Sequence, residues 1–119
     1  MKKSQASLTE IVRLFDLKPR AGKAFLGREA TGGIVSDMLS DVMANGRKDD
    51  IWITLQIHPN IIAVAVLKEL AGIIIVNGRE PESETIRRAE TENVPVLTSE
   101  LSAFELVGRL YKLGIKGRA

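Results

Sequence analysis

The chain has 119 residues and a mass of 13.0 kDa, one domain's worth of polypeptide, which excludes a multidomain enzyme within it. With 45% hydrophobic and 27% charged residues it can bury a core, and at 4% aromatic that core must be aliphatic. Seventeen basic and fifteen acidic residues leave a net charge of only +2, and the absence of cysteine excludes disulfides, thiolate metal sites and thiol nucleophiles.

Met1-Lys2-Lys3 is followed by polar Ser4 and Gln5 with no apolar h-region, so no signal peptide is expected there. Ser7-Leu8-Thr9-Glu10 has the spacing of a capping box, and Leu8, Ile11, Val12 and Phe15 then share one helical face. Pro19 and Gly22 are expected to end that helix, with a small strand between Leu17 and Ala21. Gly27 to Val35 reads as a second short strand or turn around Thr31-Gly32-Gly33. Met38, Leu39, Val42 and Met43 recur at helical spacing within Ser36 to Ala44, and Asn45-Gly46 is the stop.

From Asp50 the pattern alternates. Ile51 to Leu55 predicts a strand, Pro59 the first turn of a helix that Asn60 to Leu70 continues, and Ile73 to Val76 a central parallel strand, apolar on both faces. Pro81 starts the next helix, which runs to about Glu92 with Ile86 and Ala89 inward, and Val94 to Leu97 is a further strand. Ser102-Ala103-Phe104-Glu105 repeats the capping box ahead of Leu106, Val107, Leu110 and Tyr111, and Gly114 stops the last helix. Two right-handed βαβ crossovers follow, hence a single three-layer α/β domain spanning residues 1–119, its mainly parallel sheet flanked by helices. The longest apolar segment, Ile61 to Val76, is broken by Lys68-Glu69 and falls short of the ~20 residues a membrane span needs, so a cytoplasmic protein without membrane contact is expected. The Asn60 to Leu70 helix carries Ile61, Ile62, Val64, Val66 and Leu67 around most of its circumference, which predicts a homodimer with this helix in its interface.

Neither a P-loop nor a dinucleotide fingerprint is present, and Gly22-Lys23 continues into Ala24, so a nucleotide-dependent kinase is not expected from this chain alone. His58, the only histidine, follows a strand at the edge where α/β sheets bind ligands; it is read either as a ligand contact or as a cap on the helix after Pro59. Asn77-Gly78-Arg79 is expected on the same edge, where Arg79 beside a helix start suits an anion, or else pairs with Glu80, Glu82 or Glu84. Gln56, Asn60 and Thr98 complete this rim, with Ser99. Thr31-Gly32-Gly33 is read as a backbone nest for an anion or as a bend, and Asp37 with Asp41 as a Mg²⁺ pair or as solvated carboxylates one helical turn apart. Ser36 and Ser40 have no path to His58 for a triad, and no catalytic set, metal site or cofactor is expected. Arg87, Arg88, Lys112, Lys116 and Arg118 are interleaved with glutamates and lack aromatic partners, so nucleic acid is not expected as a partner.

Four blocks carry a resemblance: Ser36 to Met43, Trp52 to Ile61, Asn77 to Pro81, and Ser102 to Glu105 followed by Gly108 to Tyr111. Together they are similar to small bacterial DRTGG-domain proteins over about Ser7 to Ile115. Thr31-Gly32-Gly33 keeps the end of the name motif, with Glu29-Ala30 where the family has Asp-Arg. The resemblance implies a fold similar to the non-catalytic N-terminal domain of HPr kinase/phosphorylase. Related domains are regulatory modules in phosphotransacetylases and accompany CBS domains in some pyrophosphatases, and these relatives suggest dimers. Three functional readings stand. The leading one is a non-catalytic regulatory and dimerising domain that senses a small anionic metabolite or nucleotide. The others are a phosphotransfer enzyme or accessory subunit related to the HPr serine kinase, acting on an unidentified partner protein, and a pure interaction scaffold.

Overall fold

The computed structural model describes residues 5–117, so Met1 to Ser4 and Arg118 lie outside them. Both capping boxes open helices. The Ser7 hydroxyl accepts from the Glu10 N–H at 3.1 Å at the start of α1 (Leu8–Phe15), and Ser102 accepts from the Glu105 N–H at 3.2 Å at the start of α5 (Ala103–Leu113). Helix α1 ends earlier than expected, at Asp16 in a left-handed conformation, because Pro19 is already inside strand β2 (Lys18–Ala21). Two two-residue strands, β1 (Ala6–Ser7) and β3 (Glu29–Ala30), pair antiparallel beside α1.

The region read as one strand or turn holds both β3 and β4 (Gly32–Val35). Thereafter the chain alternates as α2 (Leu39–Asn45), β5 (Asp50–Thr54), α3 (Asn60–Leu67), β6 (Gly72–Ile75), α4 (Ser83–Glu92) and β7 (Val96–Thr98). The sheet order is β2-β7-β6-β5-β4, with β4 to β7 parallel and β2 antiparallel against β7. There are thus three crossovers rather than the two expected, since β4-α2-β5 precedes them.

Strands buried on both faces need helices on both faces. Trp52, Ile73, Ile75 and Val96 pack with Val42 of α2, Ile61 and Ile62 of α3 and Ala89 of α4. Alternate residues Ile51, Ile53, Ile74 and Leu97 pack with Leu8 and Ile11 of α1 and Leu106 and Leu110 of α5. The three crossover helices therefore share one face, because consecutive right-handed crossovers that step the same way along a sheet put their helices on the same side. The result is the three-layer α/β architecture expected.

Two apolar patterns sit differently from their reading. Val64 is only 6% exposed within the single chain, because the sheet and the flanking helices α2 and α4 cover α3; Val66 and Leu67, at 40% and 69%, are the large apolar residues left outside. A helix with apolar residues nearly all round is satisfied here by a central position, so its pattern no longer calls for a second subunit at Val64. Helix α3 also stops at Leu67, since Glu69 turns left-handed to lead into β6. In α2 only Val42 is fully buried, whereas Met38 is the N-cap residue and is 64% exposed.

Candidate functional site

The ten residues singled out from the sequence fall at opposite ends of the sheet. Gln56, His58, Asn60, Asn77, Gly78, Arg79 and Thr98 lie at the carboxyl ends of β5, β6 and β7, where α3 and α4 begin. Thr31, Gly32 and Gly33 lie at the amino end of β4. Parallel strands put successive helix starts on one edge, so spacing alone brings the first group together.

At this rim the Val76 carbonyl accepts from the Arg79 N–H at 3.2 Å across a tight turn in which Asn77 and Gly78 have φ of 61° and 68°. The positive φ is what favours glycine at 78; a Cβ there would meet only the movable carboxylate of the exposed Glu100, at 3.0 Å. The Arg79 guanidinium does not pair with the neighbouring glutamates. It donates through Nη1 to the Leu55 carbonyl at 2.7 Å, which lays an exposed cation across the ends of β5 and β6. Glu80 instead accepts from Arg20 at 2.7 Å, and Glu84 pairs with Arg87. His58 Nδ1 accepts from the Asn60 N–H at 3.1 Å, so the imidazole caps α3 and presents its other nitrogen outward. Gln56 donates to the Asp37 carbonyl at 2.8 Å, and the buried Thr98 hydroxyl accepts from Arg20 Nε at 3.3 Å.

Asp37 and Arg20 hold this edge together; Arg20 was not singled out from the sequence, and Asp37 was weighed only as a Mg²⁺ ligand with Asp41. The Asp37 carboxylate accepts from the Thr54 hydroxyl at 2.9 Å and the Leu55 N–H at 2.7 Å. It precedes α2, so it is not on one helical face with Asp41 and the pair does not form the cation site considered from the sequence. Hydrogen bonds from Ser36 and Asn45 hold the Asp41 carboxyl below its ordinary value. Among the described residues no three His, Cys, Asp or Glu side chains gather to hold a metal ion.

At the other end Gly32 and Gly33 are extended strand residues, paired with Asp50 and Ile51, and form neither a nest nor a bend. Their role is close approach: a Cβ on Gly32 would lie 2.8 Å from an Asp50 carboxylate oxygen and 3.1 Å from the Lys116 carbonyl. Beside them runs a groove of about 690 Å³, walled by Asp41 and Asn45 of α2, Val107 and Tyr111 of α5, and Lys116. The Lys116 ammonium stands 5.1 Å from the centre of the Tyr111 ring. No helix among the described residues is long and apolar enough to cross a membrane.

A solved structure shares the fold. The fold matches the crystal structure of the CBS and DRTGG domains of the regulatory region of Clostridium perfringens pyrophosphatase, complexed with its activator diadenosine tetraphosphate, at a TM-score of 0.70 and 19% identity. The match covers 92% of this chain and 47% of that one, so the chain spans about half the length of that structure. No curated protein matches the sequence. The family model for the DRTGG domain matches residues 21–113, from the end of β2 to the end of α5, and the chain belongs to the DRTGG-domain family.

Proposed function

We propose that this chain is a non-catalytic regulatory domain that senses a small anionic metabolite or nucleotide at the carboxyl rim of its sheet. The observation that carries this reading is Arg79: its guanidinium is fixed by the Leu55 carbonyl beside the start of α3, while the nearby Glu80 is neutralised by Arg20. A cation held in place at the carboxyl edge of a parallel sheet suits phosphate or carboxylate. Gln56, His58, Asn60, Asn77, Gly78 and Thr98 supply the polar surroundings, and the fold shared with a nucleotide-activated regulatory region favours a nucleotide among the anions. Thr31, Gly32 and Gly33 lie too far along β4 to belong to this site.

The test is isothermal titration with diadenosine tetraphosphate, ATP and inorganic phosphate. Arg79→Ala should weaken binding at least tenfold, a loss of roughly 1.4 kcal/mol or more, and leave melting nearly unchanged because the side chain is exposed. Unchanged affinity in that variant, or phosphate transfer from labelled ATP to a protein acceptor, overturns the reading. Homodimerisation belongs to the same proposal, with the exposed end of α3 at Val66 and Leu67 as its contact rather than Val64, and light scattering at micromolar concentration reads it directly.

A further inference from the structure

The carboxyl rim carries a charge of the other sign close to Arg79. Three main-chain bonds lace the turn after β6 to the turn after β7. The Asn77 N–H donates to the Leu101 carbonyl, the Gly78 N–H to the Ser99 carbonyl and the Ser99 N–H to the Ile75 carbonyl, each at 2.9 Å. The hydroxyl of buried Ser99 accepts from the Leu101 N–H at 3.0 Å and closes the turn around Glu100. The backbone of Glu100 is thereby held in place, and its carboxylate lies against Gly78, the residue before Arg79.

Other acids of this edge are already bonded: Asp37 to Thr54 and Leu55, and Glu80 to Arg20. Glu100 is exposed and makes no hydrogen bond or ion pair among the described residues. It does not pair with Arg79, whose guanidinium reaches the other way, to Leu55 at the end of β5. Strand β6 lies between β5 and β7, so the two charges stand between one and two strand spacings apart, roughly 5–10 Å, with the Asn77-Gly78 turn between them.

A bare anion gains nothing from a neighbouring carboxylate, because like charges repel. A ligand that carries an anionic group and, a few bonds away, a pair of hydroxyl donors uses both charges. An ionised carboxylate only accepts, and its two oxygens suit the two hydroxyls of a ribose at the carboxyl edge of a parallel sheet. We infer that Glu100 accepts from the ribose hydroxyls of a ribonucleotide whose phosphate is held by Arg79, and so separates ribonucleotides from other anions. The assignment rests on the anion reading of the rim and adds the sugar to it.

The experiment titrates ATP, 2′,3′-dideoxy-ATP and inorganic phosphate into the whole chain and into its Arg79→Ala and Glu100→Ala variants by calorimetry. The parent chain should bind ATP at least tenfold more tightly than the dideoxy analogue. Glu100→Ala should remove that preference, weakening ATP at least tenfold while binding inorganic phosphate no more weakly than the parent. Its melting temperature should be unchanged, since the side chain makes no bond within the fold. Glu100→Gln, which keeps an acceptor without the charge, should fall between. Equal binding of the two nucleotides by the parent, phosphate binding without ATP binding, or a Glu100→Ala variant that loses phosphate as much as ATP overturns the inference and leaves the anion reading of the rim standing. If neither ATP nor phosphate binds, or Arg79→Ala leaves their affinities unchanged, that reading falls and the inference with it.

Discussion

At one margin of the sheet β2 carries Lys18, Pro19 and Arg20 and slips register between Pro19 and Ala21; at the other, β4 carries Gly32, Gly33, Ile34 and Val35 with none of these features. Arg20 is further tied down by Thr98 and Glu80. The same chain therefore discourages strand pairing at one edge by three separate means, whereas at the other only the Lys116 backbone against Gly33 does so. The margin with fewer of these devices is the one that holds Thr31-Gly32-Gly33.

The sharpest way to break this contrast is to add one methyl group at each edge. Gly22, just after β2, has φ of +67°, and a Cβ there would lie 2.5 Å from the Val94 carbonyl oxygen and 2.6 Å from Pro95 N, backbone atoms that cannot step aside cheaply. Gly22→Ala should lose on the order of 3 kcal/mol in urea denaturation. Gly33→Ala on β4 meets a methyl of Ile51 at 3.4 Å and its carbonyl oxygen at 3.5 Å, both ordinary contacts, and should stay within about 1 kcal/mol of the parent. Equal losses would show that both edges are packed alike.

A middle-sized effect is expected at Arg20. Arg20→Ala removes its bonds to Thr98 and Glu80 and leaves the buried Thr98 hydroxyl with one partner fewer. The exposed half of that pair contributes little, so a loss of about 1 kcal/mol is expected, with faster amide exchange confined to β2. A loss spread evenly over the sheet would mean that β2 is an integral strand rather than a fastened cover.

The smallest effect concerns acid. Because the folded-state pKa of Asp41 is lowered, its contribution to stability is complete above the unfolded-chain pKa and disappears as the pH falls through the folded value. Asp41→Asn should therefore lower stability slightly at neutral pH, leave it unchanged once the pH is below the folded-state value, and so flatten the acid limb that begins near pH 4, the ordinary carboxylate range of about 3.9. An unchanged acid limb would remove Asp41 from the account of the β4 wall.

How much of this was legible in the sequence depended on the distance over which each signal acts. The caps at Ser7 and Ser102, the helix stops at Gly46 and Gly114 and the alternating strands from Ile51 onward are written within a few residues of where they act, and they were read correctly. Strand β4 was half-hidden because Gly32-Gly33 resembles a bend; only Asp50 and Lys116, distant in sequence, show why a side chain is excluded at 32. Met38 and Met43 had core spacing, but α2 is so short that Val42 alone reaches the sheet. The rim was placed from helix starts, yet Arg79's partner, a carbonyl 24 residues away, has no local signature. The bonds of Asp37 to β5 are hidden in the same way.

The strand order also has a bearing on how the chain reaches this structure. From β4 to β7 each strand docks beside the one just before it in the chain, so every step closes a loop of only about 20 residues. Strand β2 is the exception: Arg20 meets Thr98 across 78 residues of sequence, and β2 has no neighbour to pair with until β7 is in place. The cost of ordering so long a loop is then met by a sheet that is already formed. Made early, β2 arrives late, and a nascent chain presents the β4 edge well before the opposite margin is sealed.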